Sequence, residues 1–174
     1  FFSELDGYDA WQFDTSQTGL IVTYYVFFDN PFSLAVEPLV PAGLIQPQMS
    51  LPYAQGESWY FTGGPHGGWD SGSAWGALDF APQDNPGSCL PSTYWVTAMA
   101  DGLITRTGIG SVIQDLDNDG YEQTGWVILY MHVGAAGRAA PGEYLFRNER
   151  VGHPSCEGGF SNATHVHVAR KYNG

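Results

Sequence analysis

Turn-forming residues recur along this chain so often that few stretches are left for a helix to occupy. Its 174 residues include 23 glycines and 11 prolines, the two residue types that most strongly mark turns and chain breaks. Between them lie short runs rich in β-branched and aromatic residues, which suit a pleated, half-buried surface. These runs are SWYFTG (58–63), GALDFAP (76–82), YWVTAMADGLITRTG (94–108), GSVIQDLD (110–117), TGWVILYMHV (124–133), EYLFRNERVG (143–152) and THVHVARKY (164–172). Helical periodicity is scarce and no internal repeat stands out. The pattern predicts an antiparallel all-β domain with a sandwich-like core and long Gly-rich loops forming a cleft.

Nearer the N-terminus, TGLIVTYYVFF (18–28) reads as one more strand, ended by Asp-Asn-Pro at 29–31. The next stretch, FSLAVEPLVPAGLIQPQ, carries three prolines and fits an extended linker better than a core element. A boundary near residues 30–47 follows, with 1–40 as an N-terminal extension and 41–174 as the main domain. No window approaches 18 uninterrupted apolar residues, so no transmembrane helix and no membrane insertion are expected. A basic n-region followed by an apolar run is also missing, so Phe1 is read as other than the natural start.

The formal net charge is −12, with only six basic residues. Nucleic acids and anionic membranes both require a basic face, so neither is expected as a partner. Cys89 and Cys156 belong to no CxxC pair. Few lysines and many glycines, tryptophans and tyrosines suggest an exported protein, where the two cysteines would form a disulfide; two free buried thiols are the alternative.

Only five histidines occur, and two of them, His165 and His167, stand two apart in one strand-like run. Residues i and i+2 of a strand share a face, so these imidazoles should stand side by side while Val166 and Val168 pack the other way. His66 lies in a Gly-rich loop, and Asp79 lies between Leu78 and Phe80 in a short apolar strand. If those two neighbours face the core, the Asp79 carboxylate points the opposite way, and an ionised group in such a strand needs a partner or a metal. His66, Asp79 and His167 together supply two imidazole nitrogens and a carboxylate oxygen, a set suited to zinc with a fourth position open. Taken singly, each residue has a plain reading as a turn, loop or core residue. His132 ends the apolar run WVILYMHV, where a core histidine satisfied by a backbone carbonyl is the plain alternative.

His66 with Asp79 thirteen residues on, His132 closing a strand, and His165-x-His167 together resemble the lysostaphin-type zinc endopeptidases, most closely their staphylolysin and β-lytic branch. LPYAQGESW (51–59) and CEGGFSNATHVH (156–167) add to the resemblance, which covers about residues 45–174. It implies that His66, Asp79 and His167 bind one zinc and that His132 and His165 are catalytic. It also implies a secreted or cell-envelope monomer that hydrolyses peptide bonds of bacterial peptidoglycan, at Gly-Gly or D-Ala-Gly linkages, with the Gly-rich segments 63–76 and 158–159 lining the groove. Residues 1–40 would then be the tail of an inhibitory propeptide, or else one more strand of the same domain. Three departures stand out: Ala163-Thr164 where the family has Gly-Pro or a similar pair, Val168 where an aromatic is common, and an acidic chain where relatives are basic. The resemblance also implies further strands and loops beyond Gly174.

A second metal site is suggested by DLDNDGYEQT (115–124), where Asp115, Asp117 and Asp119 followed by Gly120 match the start of a calcium loop. The twelfth position is Trp126 instead of a bidentate Glu, and a hairpin turn with solvated carboxylates is the alternative. Two further functional readings follow: an inactive relative that binds cell wall, and a calcium-stabilised β-sandwich adhesion module.

Overall fold

The computed structural model describes residues 2–4, 11–13, 42–69, 73–84, 87–90 and 92–173. The regular structure of these residues is entirely strand: β1 (Phe2–Glu4), β2 (Trp11–Phe13), β3 (Tyr60–His66), β4 (Ala77–Ala81), β5 (Val96–Thr97), β6 (Gly102–Gly108), β7 (Ser111–Asp115), β8 (Trp126–Met131), β9 (Tyr144–Leu145), β10 (Arg150–Gly152) and β11 (Val166–Tyr172). The all-β expectation holds, and among the described residues no helix is long and apolar enough to cross a membrane. Two compact units divide the chain, Phe1–Gln46 and Pro47–Gly174. In the first, β1 and β2 form an antiparallel pair with Phe2 opposite Phe13. The strand expected at 18–28 and most of the proline-rich stretch lie outside the described residues.

The second unit is built on a seven-stranded antiparallel sheet in the order β3-β4-β11-β8-β7-β6-β9, with a separate two-stranded sheet of β5 and β10. Two of the expected runs split. Residues 94–108 turn between β5 and β6, and residues 143–152 turn between β9 and β10. In each case a segment too long for one flat strand bends to serve two sheets.

Both faces of the large sheet are apolar at its centre, which is why β8 is buried almost along its whole length. On one face Phe80, Ile104, Val112, Ile128, Tyr130, Val166 and Val168 pack against Val96, Ala98 and Val151 of the smaller layer. This is the main core and gives the sandwich-like second layer. On the other face Ile113, Val127 and Leu129 pack with Trp69 and Met131. Alternation along β11 sends Val166 and Val168 to the first face and His167 to the second, as the two-residue period requires. Leu78 departs from its expected place: it shares the core face of β4 but is 38% exposed, whereas Phe80 is buried. The β3 edge covers it only in part.

Candidate metal centre

Three neighbouring strands bring the candidate ligand side chains together. Asp79 on β4 is the direct cross-strand partner of His167 on β11, and on an antiparallel pair such residues project from the same face. His66 is the last residue of β3, the strand on the other side of β4. His66, Asp79 and His167 offer ligand atoms that all lie within 4.8 Å of one another. Asp79 Oδ1 is 3.4 Å from His66 Nε2 and 3.2 Å from His167 Nδ1; the two ring nitrogens are 3.1 Å apart.

This arrangement fits a cation. His167 Nε2 lies 3.0 Å from the Gly68 carbonyl and donates to it, so a neutral ring keeps a bare lone pair on Nδ1, aimed at the cluster. One proton between His66 Nε2 and His167 Nδ1 can pair those nitrogens, but Asp79 Oδ1 is buried with no hydrogen-bond partner. A buried carboxylate oxygen without a partner beside two imidazole nitrogens is costly, and a metal ion would satisfy it. The set of two nitrogens and one oxygen is the donor chemistry of zinc with an open position. Burial is the largest single influence on His167 and lowers its basicity; the Asp79 carboxylate and the Gly68 carbonyl together outweigh it and leave the group above the ordinary imidazole value.

His132 and His165 stand beside this cluster. Their ring centroids are 4.4 Å apart, His132 is 6.2 Å from the His167 ring, and His165 Nε2 is 3.9 Å from Asp79 Oδ2. Continued alternation from β8 would place His132 on the core face with Ile128 and Tyr130. A left-handed backbone at His132, with φ of 61°, breaks that alternation and turns the ring to the site; histidine is among the residues that tolerate this region. His132 Nδ1 then donates to the Glu157 carbonyl at 3.0 Å, and His165 Nδ1 to the Ala163 carbonyl at 2.8 Å. The carbonyl partner foreseen for a plain core histidine is therefore present, on a ring that nonetheless faces the cluster. Burial lowers the His132 pKa below the ordinary imidazole value, and the nearby His165 adds to this. All four imidazoles and Asp79 line one cavity of about 450 Å³, whose walls include Gly67, Gly68 and Gly159. The fifth histidine, His153, is elsewhere, bonded to the Tyr94 carbonyl and packed on Trp95.

Several supporting groups leave no side-chain signal in the sequence, because Gly68, Glu157 and Ala163 all act through backbone carbonyls. Thr164, at the departure from the family pattern, is fully buried. Its hydroxyl donates to the Leu90 carbonyl and its backbone N–H to the Ser88 carbonyl, which ties the loop before His165 to residues 88–90. Cys89 in that stretch is disulfide-bonded to Cys156, so the two are not free thiols.

Asp115, Asp117 and Asp119 also converge, but their turn explains much of this. Asp115 accepts from the backbone N–H groups of Asp117 and Gly120. Asp119 accepts from the Tyr121 N–H and the Thr124 hydroxyl. These are the bonds of an acidic turn, the hairpin alternative to a calcium loop.

No protein-family model matches the chain, and no curated protein does. Solved structures do. The M23 metalloprotease pseudoalterin from the deep sea is 28% identical over 73% of this chain and 72% of its own, with a TM-score of 0.55. Lysostaphin, known from a solution structure, is 24% identical over 67% of this chain and 44% of its own, at 0.45. The catalytic domain of the prophage-encoded M23 protein EnpA from Enterococcus faecalis is 18% identical over 72% of this chain and 88% of its own, at 0.46. Carrying the fold of an M23 metalloprotease over nearly three quarters of both chains, with a histidine–aspartate cluster set into its large sheet, this chain resembles the lysostaphin-type M23 metallopeptidases.

Proposed function

We propose that this protein is an exported zinc endopeptidase that hydrolyses the peptide bridges of bacterial peptidoglycan at Gly-Gly or D-Ala-Gly linkages. The observation that carries the reading is the buried, unpartnered Asp79 Oδ1 facing two imidazole nitrogens. His66 through Nε2, Asp79 through Oδ1 and His167 through Nδ1 hold one zinc per chain. When bound, zinc supplies a Lewis acid that polarises a peptide carbonyl and brings the pKa of water down to about 7.

The remaining work falls to the chain's own groups. His132 and His165 each have Nδ1 on a backbone carbonyl, so each presents Nε2 to the groove. One takes the proton of the attacking water and passes it to the leaving amine. The other, when protonated, donates to the substrate oxygen that gains charge. Glycines at 67, 68 and 159 leave part of the wall without side chains, which suits a backbone of small residues. The disulfide supports an oxidising, extracellular or cell-envelope location.

The test pairs elemental analysis of the purified chain with hydrolysis of pentaglycine, for the wild type and for Asp79→Ala. About one zinc per chain with cleavage, both lost in the variant, is expected of a site with three protein ligands and an open fourth position. A zinc-free wild type that cuts nothing overturns the proposal.

A further inference from the structure

We infer that Gly63 is a positioning residue for the Asp79 carboxylate: the missing side chain at this cross-strand position leaves Asp79 room to aim one oxygen between His66 and His167. The inference rests on the reading of those three residues as zinc ligands.

The register of β3 on β4 pairs Gly63 with Asp79, so both positions project from the same face. Pairing shifts on either side, between Phe61 and Gly63 and again between Gly63 and His66. Gly64, the next residue, also lies close to β4, but against the Ala77 carbonyl and Leu78, so Gly63 is the one that faces Asp79. A Cβ built on Gly63 would lie 2.9 Å from Asp79 Oδ2, 3.6 Å from its Cγ and 3.7 Å from its Cβ. The first distance is well inside normal contact for a carbon atom, whose favourable separations begin near about 3.5 Å.

The carboxylate has no harmless way to yield. Its other oxygen is the buried Oδ1, held 3.4 Å from His66 Nε2 and 3.2 Å from His167 Nδ1. Rotation that carries Oδ2 away from a methyl group carries Oδ1 out of its place between the rings. Backbone freedom does not account for a glycine here, since Gly63 is absent from the positive-φ residues while its neighbour Gly64 has φ of 124°. Space does, and a glycine inside a strand commonly marks such a close approach.

The experiment measures zinc affinity, by competition with a chromophoric chelator, for the wild type, Gly63→Ala, Asp79→Ala and the double variant, together with thermal unfolding of each without metal. Gly63→Ala is expected to weaken zinc binding by about 10–100-fold, the range for supporting residues of a metal site. It is expected to leave metal-free unfolding unchanged, and the double variant is expected to unfold like Asp79→Ala, since the side chain that would clash is gone. Unchanged zinc affinity of Gly63→Ala, or a double variant less stable than Asp79→Ala, overturns the inference. Should Gly63→Ala fail to fold, Gly63→Ala/Asp79→Gly clears the space and is expected to fold; its failure also overturns it. A wild type that binds no zinc removes the zinc reading and this inference with it, whereas a zinc-loaded wild type that cuts no peptide counts only against the proposed substrate.

Discussion

Three imidazoles in this site are oriented by backbone carbonyls, and the nitrogen each carbonyl takes separates their parts. His167 is anchored through Nε2 on Gly68 and offers Nδ1; His132 and His165 are anchored through Nδ1 and offer Nε2. A neutral ring has one donor and one acceptor nitrogen, so each anchor decides which lone pair reaches the site. His132→Gln and His165→Gln are expected to keep zinc and lose about 10²–10⁴-fold in kcat, the span of general acid–base catalysis. Elemental analysis beside steady-state kinetics checks this, and loss of zinc in either variant would move that residue into the ligand set. Acidity adds a second test. Burial lowers the His132 pKa, so its ring takes up a proton at lower pH than an ordinary imidazole does. The acid limb of kcat/KM that His132 governs is therefore expected below the ordinary histidine midpoint, and the residual activity of His132→Gln should lack it. A limb unchanged in the variant assigns it to another group.

At the scale of elements, β8 couples the core to the histidine–aspartate cluster. Tyr130 is fully buried, accepts from the Met99 N–H at 2.8 Å and donates to Gln114 Oε1 at 2.8 Å. Gln114 in turn donates to the Ala100 carbonyl, so one polar chain ties β8 and β7 to the turn between β5 and β6. Burial pushes the Tyr130 pKa far above its ordinary value, keeping the phenol a neutral donor. Tyr130→Phe strands the part-buried Met99 N–H and the buried Gln114 amide oxygen, and is expected to lower stability by about 1–3 kcal/mol in urea denaturation. Two residues on, His132 turns out of the sheet. Its anchor on Glu157 is held in turn by the β6–β7 turn, where Gly110 lies so close to the Glu157 carbonyl that no side chain fits.

For the whole molecule, the disulfide joins parts of the chain 67 residues apart and ends one residue before Glu157. Closing a loop of that size constrains the unfolded chain, so Cys89→Ala/Cys156→Ala is expected to cost about 2–5 kcal/mol. The same change frees the segment that orients His132. Activity should fall more than zinc content does, and full activity in the reduced or double-alanine protein would show that the loop holds itself. A net charge of −12 gives no general attraction to anionic surfaces.

Some of this protein is written locally. Frequent turn residues and β-branched runs dictate strands because backbone preference and two-residue alternation act over a few neighbours, and they place His165 and His167 on one face without any partner strand. The pairing of His167 with Asp79 belongs to strand register, which only a folded sheet has. The turn of His132 out of its strand, the long runs that split between two sheets, and Leu78 left partly exposed depend on what packs against them. So do the carbonyls of Gly68, Glu157 and Ala163 and the empty space at Gly63: every residue carries a carbonyl, and only the tertiary structure decides which of them meets an imidazole and where a methyl group has no room.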